Sequence, residues 1–279
     1  MIRIRIKGGR KVSELEVINQ TIYPNTLKSL VNDLRNLGIK KGDIVLVHSS
    51  LSKIGWVCGA EVSVIQALLE VVGEEGTVIM PAHTGDNSDP SEWENPPIKK
   101  EWLDILYDSM PAFDKEITPT RGMGRIAEAF RKYPNTYRSD HPQVSFCANG
   151  KDAQTLTRTH LLTPQFGLDT PLGFLYQMGA KVLLLGVGYA NCTSFHLAEC
   201  LTNKMNSVKM ATAMKVDGER QWVEFKDIDW NCEDFEEIGS QYEIESHQVV
   251  QGKVGQANCK LFEMKSAVDY ATEWMLRYR

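Results

Sequence analysis

Three short runs constrain this chain more than anything else in it: Ile44-Val45-Leu46-Val47, Thr77-Val78-Ile79-Met80 and Val182-Leu183-Leu184-Leu185. They are apolar at nearly every consecutive position, the pattern of a strand buried on both faces. Such strands need cover above and below, which helices on both sides of a mainly parallel sheet supply. The segments between them carry the helical period. Leu27, Leu30, Val31, Leu34 and Leu37 share one face, with Asn25 and Thr26 as cap candidates and Gly38 as the stop. Val64, Ile65, Leu68, Leu69 and Val72 share another, closed by Gly73. Strand, helix, strand in this order predicts a parallel pair with a right-handed crossover.

Ala82 to Pro97 breaks the rhythm. It is polar, holds His83, Pro90, Pro96 and Pro97, and reads as a binding loop or lid. A helix is expected over Gly122–Lys132 and a short strand over Val144–Ala148. Thr170-Pro171 opens a further helix that ends at Gly179. After the Gly186-Val187-Gly188 turn, another helix begins near Thr193 or Ser194. Val208–Val216 and Gln221–Phe225 flank Asp217-Gly218, a hairpin signal with two further turn residues. Helices follow at about Phe235–Glu245 and Ser266–Arg277.

The expected fold is α/β: a central mixed sheet flanked by helices, with a C-terminal hairpin-and-helix cap. Residues 1–279 form one domain, with the α/β core over about 26–203 and the cap over about 204–279. No Pro/Gly/Ser-rich linker divides the two.

The 42% hydrophobic and 24% charged residues are those of a folded chain, and the net charge of −5 argues against nucleic acid as the main partner. No run approaches the ~18 apolar residues of a spanning helix, so no membrane partner is expected. Met1 to Lys11 alternates Ile with Arg and Lys and lacks the apolar stretch of a signal peptide, which makes a cytoplasmic address the expectation. Cys58, Cys147, Cys192, Cys200, Cys232 and Cys259 are scattered without a Cys-x-x-Cys pair. They are expected to be reduced and packed as small hydrophobes.

Open α/β sheets bind ligands at the carboxyl ends of their strands. His48 ends the first core strand, and His196 follows the strand at Val182–Leu185. On a helix, His196 and Glu199 are three apart and share a face, so the carboxylate can fix the imidazole tautomer and stabilise its protonated form. Thr193, three residues earlier on that face, could donate to a developing oxyanion or to the histidine. On periodicity alone, Thr193 as a helix cap and His–Glu as a surface contact stand equally open. His-x-x-Glu offers only two ligands where a catalytic zinc takes three, and nothing in the spacing brings His83 and His141 together. No metal is expected.

The segment His48-Ser49-Ser50-Leu51-Ser52-Lys53-Ile54-Gly55-Trp56 gathers hydroxyls, backbone N–H groups and a lysine that suit phosphate oxygens. It lacks a Walker ending, and no Gly-x-Ser-x-Gly occurs anywhere. A plain polar connection is its alternative. Thr118-Pro119-Thr120-Arg121-Gly122-Met123-Gly124 leads into a helix and could cradle a ligand or simply start that helix. Arg138-Ser139-Asp140-His141-Pro142 reads as a structural polar knot.

Taken in order, Leu46–Leu51, Thr77–Pro81, Pro119-Thr120 with Met123-Gly124, Arg138-Ser139 with His141-Pro142, Val182–Gly188 and Thr193–Glu199 resemble the aminoglycoside N3-acetyltransferases over roughly Thr26 to Val268. The resemblance implies a helix-covered mixed sheet with acetyl-CoA as co-substrate in a cleft. It implies that His48, Ser49, Ser50, Leu51, Ser52, Lys53, Ile54 and Gly55 line the cofactor together with Thr118, Thr120 and Gly124. It implies His196 as general base, Glu199 as its partner and Thr193 as stabiliser of the tetrahedral intermediate. Many relatives carry Asn where this chain has Cys192, and a cysteine nucleophile there is the alternative use.

Elementary chemistry agrees with this assignment. An aminoglycoside amine is largely protonated at neutral pH, so a base such as histidine must free it, and the oxyanion formed needs a donor. Two acid clusters, Asp86, Asp89, Glu92 and Glu94, and Asp227, Asp229, Glu233, Asp234, Glu236 and Glu237, would concentrate a polycation. Asp86, Asp234, Glu236 and Glu237 are the substrate-binding candidates, with a solvated surface as their alternative. Two rival functions stand beside the expected one: a same-fold acyltransferase acting on another amine, and a CoA-binding protein without turnover. Monomer and homodimer both stay open.

Overall fold

The computed structural model describes residues 13–279; the Met1–Lys11 segment weighed above as a signal lies outside them. The first helices and strands are α1 (Glu14–Gln20), α2 (Leu27–Leu37), β1 (Ile44–Ser49), α3 (Leu51–Ile54), α4 (Ala60–Val72) and β2 (Thr77–Pro81). Next come α5 (Leu103–Ser109), α6 (Gly124–Arg131), β3 (Tyr137–Arg138), β4 (Phe146–Gly150), α7 (Ala153–Thr157), α8 (Pro171–Gln177), β5 (Lys181–Leu185) and α9 (Phe195–Thr202). The last part holds β6 (Ser207–Val216), β7 (Glu219–Ile228), α10 (Phe235–Ser246), β8 (Val250–Val254), β9 (Ala257–Glu263) and α11 (Met264–Tyr278).

Among the described residues seven strands form one mixed sheet in the order β3-β4-β2-β1-β5-β9-β8. β1 lies parallel to both β2 and β5, and the outer pairings are antiparallel. The apolar runs are therefore the three central strands, as expected from their double burial. Their side chains divide by parity. Val45, Val47, Val78, Met80, Leu183 and Leu185 face a layer that includes α2, α4 and α6. Leu46, Ile79, Val182 and Leu184 face α7, α8, α9, α10 and α11. One such buried aliphatic side chain contributes roughly 1.5–3 kcal/mol by leaving water.

Thr26 caps α2 by accepting from Ser29 N–H, and Gly38 ends it at φ 111°. Asn25 is not a cap: its amide is buried and donates to the carbonyls of Ile54 and Trp56. Pro142–Val144 form a turn, so β4 begins two residues later than the pattern suggested.

The hairpin turn is tighter than expected. β6 and β7 pair up to Val216 and Glu219, leaving only Asp217 and Gly218 in the turn, at φ 52° and 85°. Both positive angles match a two-residue type I′ turn. This hairpin is a sheet of its own. It sits over the loop after β2: Asn87 donates to Thr212 Oγ1 and to Ala213 O, and Thr212 donates back to Asn87 O.

The proposed division near residue 203 is coarser than the molecule. The 207–228 hairpin does stand apart from the sheet, but β8 and β9 return to it, β9 pairing with β5 and β8 with β9. Among the described residues no helix is long and apolar enough to cross a membrane.

Candidate active site

Parity fixes where the histidines go. His48 follows Val47 on β1, so it shares the face of Leu46, the face that α9 covers. His83, two residues past the end of β2, stands edge-on to Phe146 at 5.5 Å and lies 5.9 Å from Phe166. Phe166 stacks on His196 at 4.7 Å with the rings 11° apart. Strand ends and helix thus bring His48, His83 and His196 to one side of the sheet.

On α9, His196 Nδ1 and Glu199 Oε2 are 2.5 Å apart. A carboxylate only accepts, so Nδ1 carries the proton and Nε2 keeps its lone pair. Glu199 is fully buried. Its other oxygen accepts from Asn231 N–H at 2.9 Å and from Arg279 Nη1 at 2.5 Å. Arg279 also binds both oxygens of Asp234 and the carbonyl of Asn231. Phe166, Trp230 and Phe235 enclose the imidazole. The pair is a buried network and not a surface contact. Thr193 is buried one turn earlier, and its carbonyl accepts from His196 N–H.

His48 Nε2 and His83 Nε2 are both buried without a hydrogen-bond partner among the described residues. Burial, with some repulsion from His196, lowers His48 to about 3. His83 is pushed well below the ordinary value by burial and by its neighbours His196 and His48. Both rings are therefore neutral near pH 7. Burial also pushes the Cys192 thiol up to about 12, with its Sγ 3.1 Å from Ser194 Oγ, so it is a thiol and not a thiolate.

The His48–Gly55 segment divides. Ser49 and Ser50 are half-buried, and Ser52 and Lys53 are exposed. Leu51 packs at the edge of the core. Ile54 is fully buried, and its carbonyl is taken by Asn25 and by Gln256 N–H. Gly55, at φ 89°, lies against Gln256 and Thr21; a Cβ there would come within 2.7 Å of Gln256 Oε1. Ile54 and Gly55 are thus occupied with packing. Gly186, at φ 73°, lets the loop approach β5, since a Cβ there would lie 2.7 Å from Lys53 Cβ.

The second expected segment is a neighbour of the first, because α6 packs against α3 and β1. Its hydroxyls are engaged: Thr118 Oγ1 accepts from Asp114 N–H, and Thr120 donates to Glu128. Gly124 is exposed at the start of α6. Arg138 is buried and donates to Ser145 Oγ and to the carbonyls of Ala82, Lys115 and Thr118. His141 Nδ1 accepts from Gln143 and Val144 N–H. Arg138, Ser139 and His141 of the 138–142 knot are thus tied into internal hydrogen bonds, while Asp140 is exposed.

The acid candidates have separate fates. Asp86 pairs with Arg121 at 3.3 Å on the surface. Asp234 belongs to the Arg279 network, and Glu236 accepts from Ala190 N–H at 2.9 Å. Glu237 is exposed, with Gln241 as its partner. The Ala82–Pro97 loop is no free lid at its start: Ala82, His83 and Thr84 are buried, and Thr84 donates to Pro142 O at 2.5 Å. Among the described residues no group of three or more His, Cys, Asp or Glu side chains could hold a metal ion.

Sequence reasoning did not find Phe166, Trp230, Phe235 or Arg279. They reach His196 and Glu199 from a loop, the approach to α10 and the end of α11, and no local motif marks them.

Residues 46–276 match the family model described as aminoglycoside 3-N-acetyltransferase. The chain is 47% identical over 262 residues to the SPbeta prophage-derived aminoglycoside N(3')-acetyltransferase-like protein YokD of Bacillus subtilis (strain 168), covering 94% of this chain and 96% of that protein. It is 34% identical to aminoglycoside N(3)-acetyltransferase VII of Streptomyces paromomycinus, covering 95% and 96%. The crystal structure of YokD superposes with a TM-score of 0.93 at 46% identity, covering 95% of this chain and 98% of that one. AAC-IIIb in a binary complex with CoASH matches with a TM-score of 0.80 at 27% identity, covering 91% and 97%. AAC-VIa bound to sisomicin matches with a TM-score of 0.82 at 29% identity, covering 91% and 98%.

Proposed function

The chain belongs to the aminoglycoside 3-N-acetyltransferase family, and on that premise we propose that it moves an acetyl group from acetyl-CoA to the 3-amino group of an aminoglycoside, with His196 as general base. The observation that carries this reading is the buried His196–Glu199 pair at 2.5 Å. Glu199 holds the proton on Nδ1 and leaves Nε2 free to accept one. The substrate ammonium gives that proton to Nε2, and the freed amine attacks the acetyl carbonyl. Glu199 then stabilises the imidazolium. The Thr193 hydroxyl is the donor proposed for the oxyanion. Collapse of the resulting tetrahedral intermediate breaks the C–S bond. The departing coenzyme A thiolate takes the remaining proton from the attacking nitrogen, leaving the amide and the free thiol. Phe166, Trp230 and Phe235 exclude water from the imidazole, which strengthens each of these interactions.

Acetyl-CoA supplies the activated acyl group as a thioester. The residues present fit such a molecule. Ser50, Ser52 and Lys53 offer hydroxyls and a cation at the carboxyl end of β1, and neutral His48, with its unpartnered Nε2, precedes them on that strand. The neighbour holding CoASH supports the donor, and the neighbour holding sisomicin supports the acceptor. With Cys192 buried as a neutral thiol, direct transfer is favoured over an acyl-enzyme.

A thiol-release assay with acetyl-CoA tests the reading. Release should require an aminoglycoside. Release with other amines alone would move the substrate class to another amine. Binding of CoA without release under any amine would make the chain a non-catalytic binder.

A further inference from the structure

Arg279 stands where the dyad meets the C-terminal helix. α11 packs along α9. Just past the end of α11, the Arg279 guanidinium reaches Glu199 Oε1 at 2.5 Å, on the carboxylate whose other oxygen holds His196. Its remaining donors go to Asp234 and to Asn231 O, in the segment that enters α10. Only 16% of the side chain is exposed. Asn231 N–H donates to the same Glu199 oxygen. One side chain from the far end of the described chain thus locks three elements around a single buried carboxylate.

We propose that Arg279 is a positioning residue of the acetyl transfer: it fixes the Glu199 carboxylate and moderates its charge, and so sets the pH at which His196 becomes an effective base. This rests on the His196–Glu199 reading above.

The physical argument has two parts. A guanidinium donates in a fixed fork, so it can bridge Glu199 and Asp234 and hold the first in one rotamer. It also carries a charge opposite to Glu199. Glu199 favours the protonated imidazole; Arg279 opposes that, both by sharing the carboxylate and by repelling a second cation. Removing the cation favours the imidazolium, so the base is blocked up to a higher pH. The other groups around His196 do not supply this balance. His48 and His83 are neutral in this range. Cys232, beside Glu199, is pushed up by burial and is also uncharged. Asp234 is paired with Arg279 itself. Asp227 lies behind Trp230, which donates to it. Phe166, Trp230 and Phe235 carry no charge.

The test compares the pH dependence of kcat and kcat/KM for the parent, Arg279→Gln, Arg279→Lys and His196→Ala, with acetyl-CoA and one accepted aminoglycoside. Arg279→Gln should lower kcat at pH 7 by about tenfold and move the acid limb up by about 0.5–1 pH unit. KM for either substrate should change by no more than about twofold. Arg279→Lys keeps the charge and should leave the limb near the parent's position, with part of the kcat restored. A purely structural role would lower activity in both variants without moving the limb. An unmoved limb in Arg279→Gln, or an equal displacement in Arg279→Lys, overturns the proposal. His196→Ala separates the two readings: if it keeps parental turnover, the base assignment itself is wrong, whatever Arg279 does.

Discussion

His196 and His48 lie on the same side of the same sheet, both more than nine-tenths buried, yet they are opposite chemical objects. His196 has a carboxylate at 2.5 Å, and that carboxylate has its own donors. His48 has an unpartnered Nε2 and sits at about 3 because burial penalises its charged form. Burial alone disarms an imidazole as a base; burial beside an anchored carboxylate arms it. Histidines at strand ends are therefore not interchangeable candidates.

Breaking the armed side should have the largest effect. His196→Ala should fold and lose at least ~100-fold in kcat. Glu199→Gln should lose less, roughly tenfold, because the amide can still orient the ring but cannot stabilise the imidazolium. Steady-state rates at saturating substrates check both, and His196→Ala within about threefold of the parent would remove it from the mechanism. His48→Gln supplies the contrast. A ring held near 3 has no proton to lose between pH 5 and 8, so the acid limb should not move.

The disarmed side should appear in stability. His48, His83, His141 and His160 are all lowered by burial, His160 to about 4. Each takes up a proton near pH 6.5 in the unfolded chain but not in the fold. Their contribution is therefore fully present above about pH 6.5 and is lost as pH falls toward the folded values. Each can add up to about 1.4 kcal/mol per pH unit to that slope. Urea midpoints at pH 7.5 and 5.5 should fall with pH, and His48→Gln should flatten the fall. Equal slopes in parent and variant would mean that His48 is charged in the fold.

Two smaller effects sharpen the contrast between the site and its rim. Ser50→Ala and Lys53→Ala should each weaken CoA binding by about threefold to tenfold while leaving the aminoglycoside nearly untouched, as separate titration calorimetry would show. An equal loss for both ligands would point to damage to the fold. Smallest of all, Asp86→Asn and Glu237→Gln should raise the amine KM by less than about threefold, because exposed charges and their pairs are worth little. That effect should fade with salt. A larger, salt-resistant effect would put one of these acids in direct contact with substrate.

The sequence made the centre of the sheet legible because double burial leaves an unbroken apolar run. It made His196–Glu199 legible because three residues on a helix lie on one face. Both signals are local. What escaped reading comes from elsewhere: Phe166, Trp230 and Arg279 are brought to His196 and Glu199 by tertiary packing across up to 80 residues. β8 and β9 escaped for another reason. Val250-Gln251-Gly252-Lys253-Val254 and Ala257–Glu263 mix lysine, glutamine and asparagine into the pattern, because they lie at or next to the sheet's edge and one side is partly wet. Ile54 was grouped with its polar neighbours, but the single turn of α3 sends it inward while Ser52 and Lys53 stay outside.

The late return of β9 to the sheet has a consequence for synthesis. β5 is complete at residue 185, yet its antiparallel partner spans residues 257–263. A ribosome releasing the chain from its N-terminal end exposes one edge of a central, highly apolar strand until residue 263 has emerged. Pairing across such a separation is slow, because the intervening loop must be closed before the contact stabilises anything. Nascent chains arrested before residue 250 should accordingly be cut by protease within 181–185, and chains arrested well after 263 should resist. Between those two lengths the protein depends on whatever covers an unpaired β5 edge in the cell.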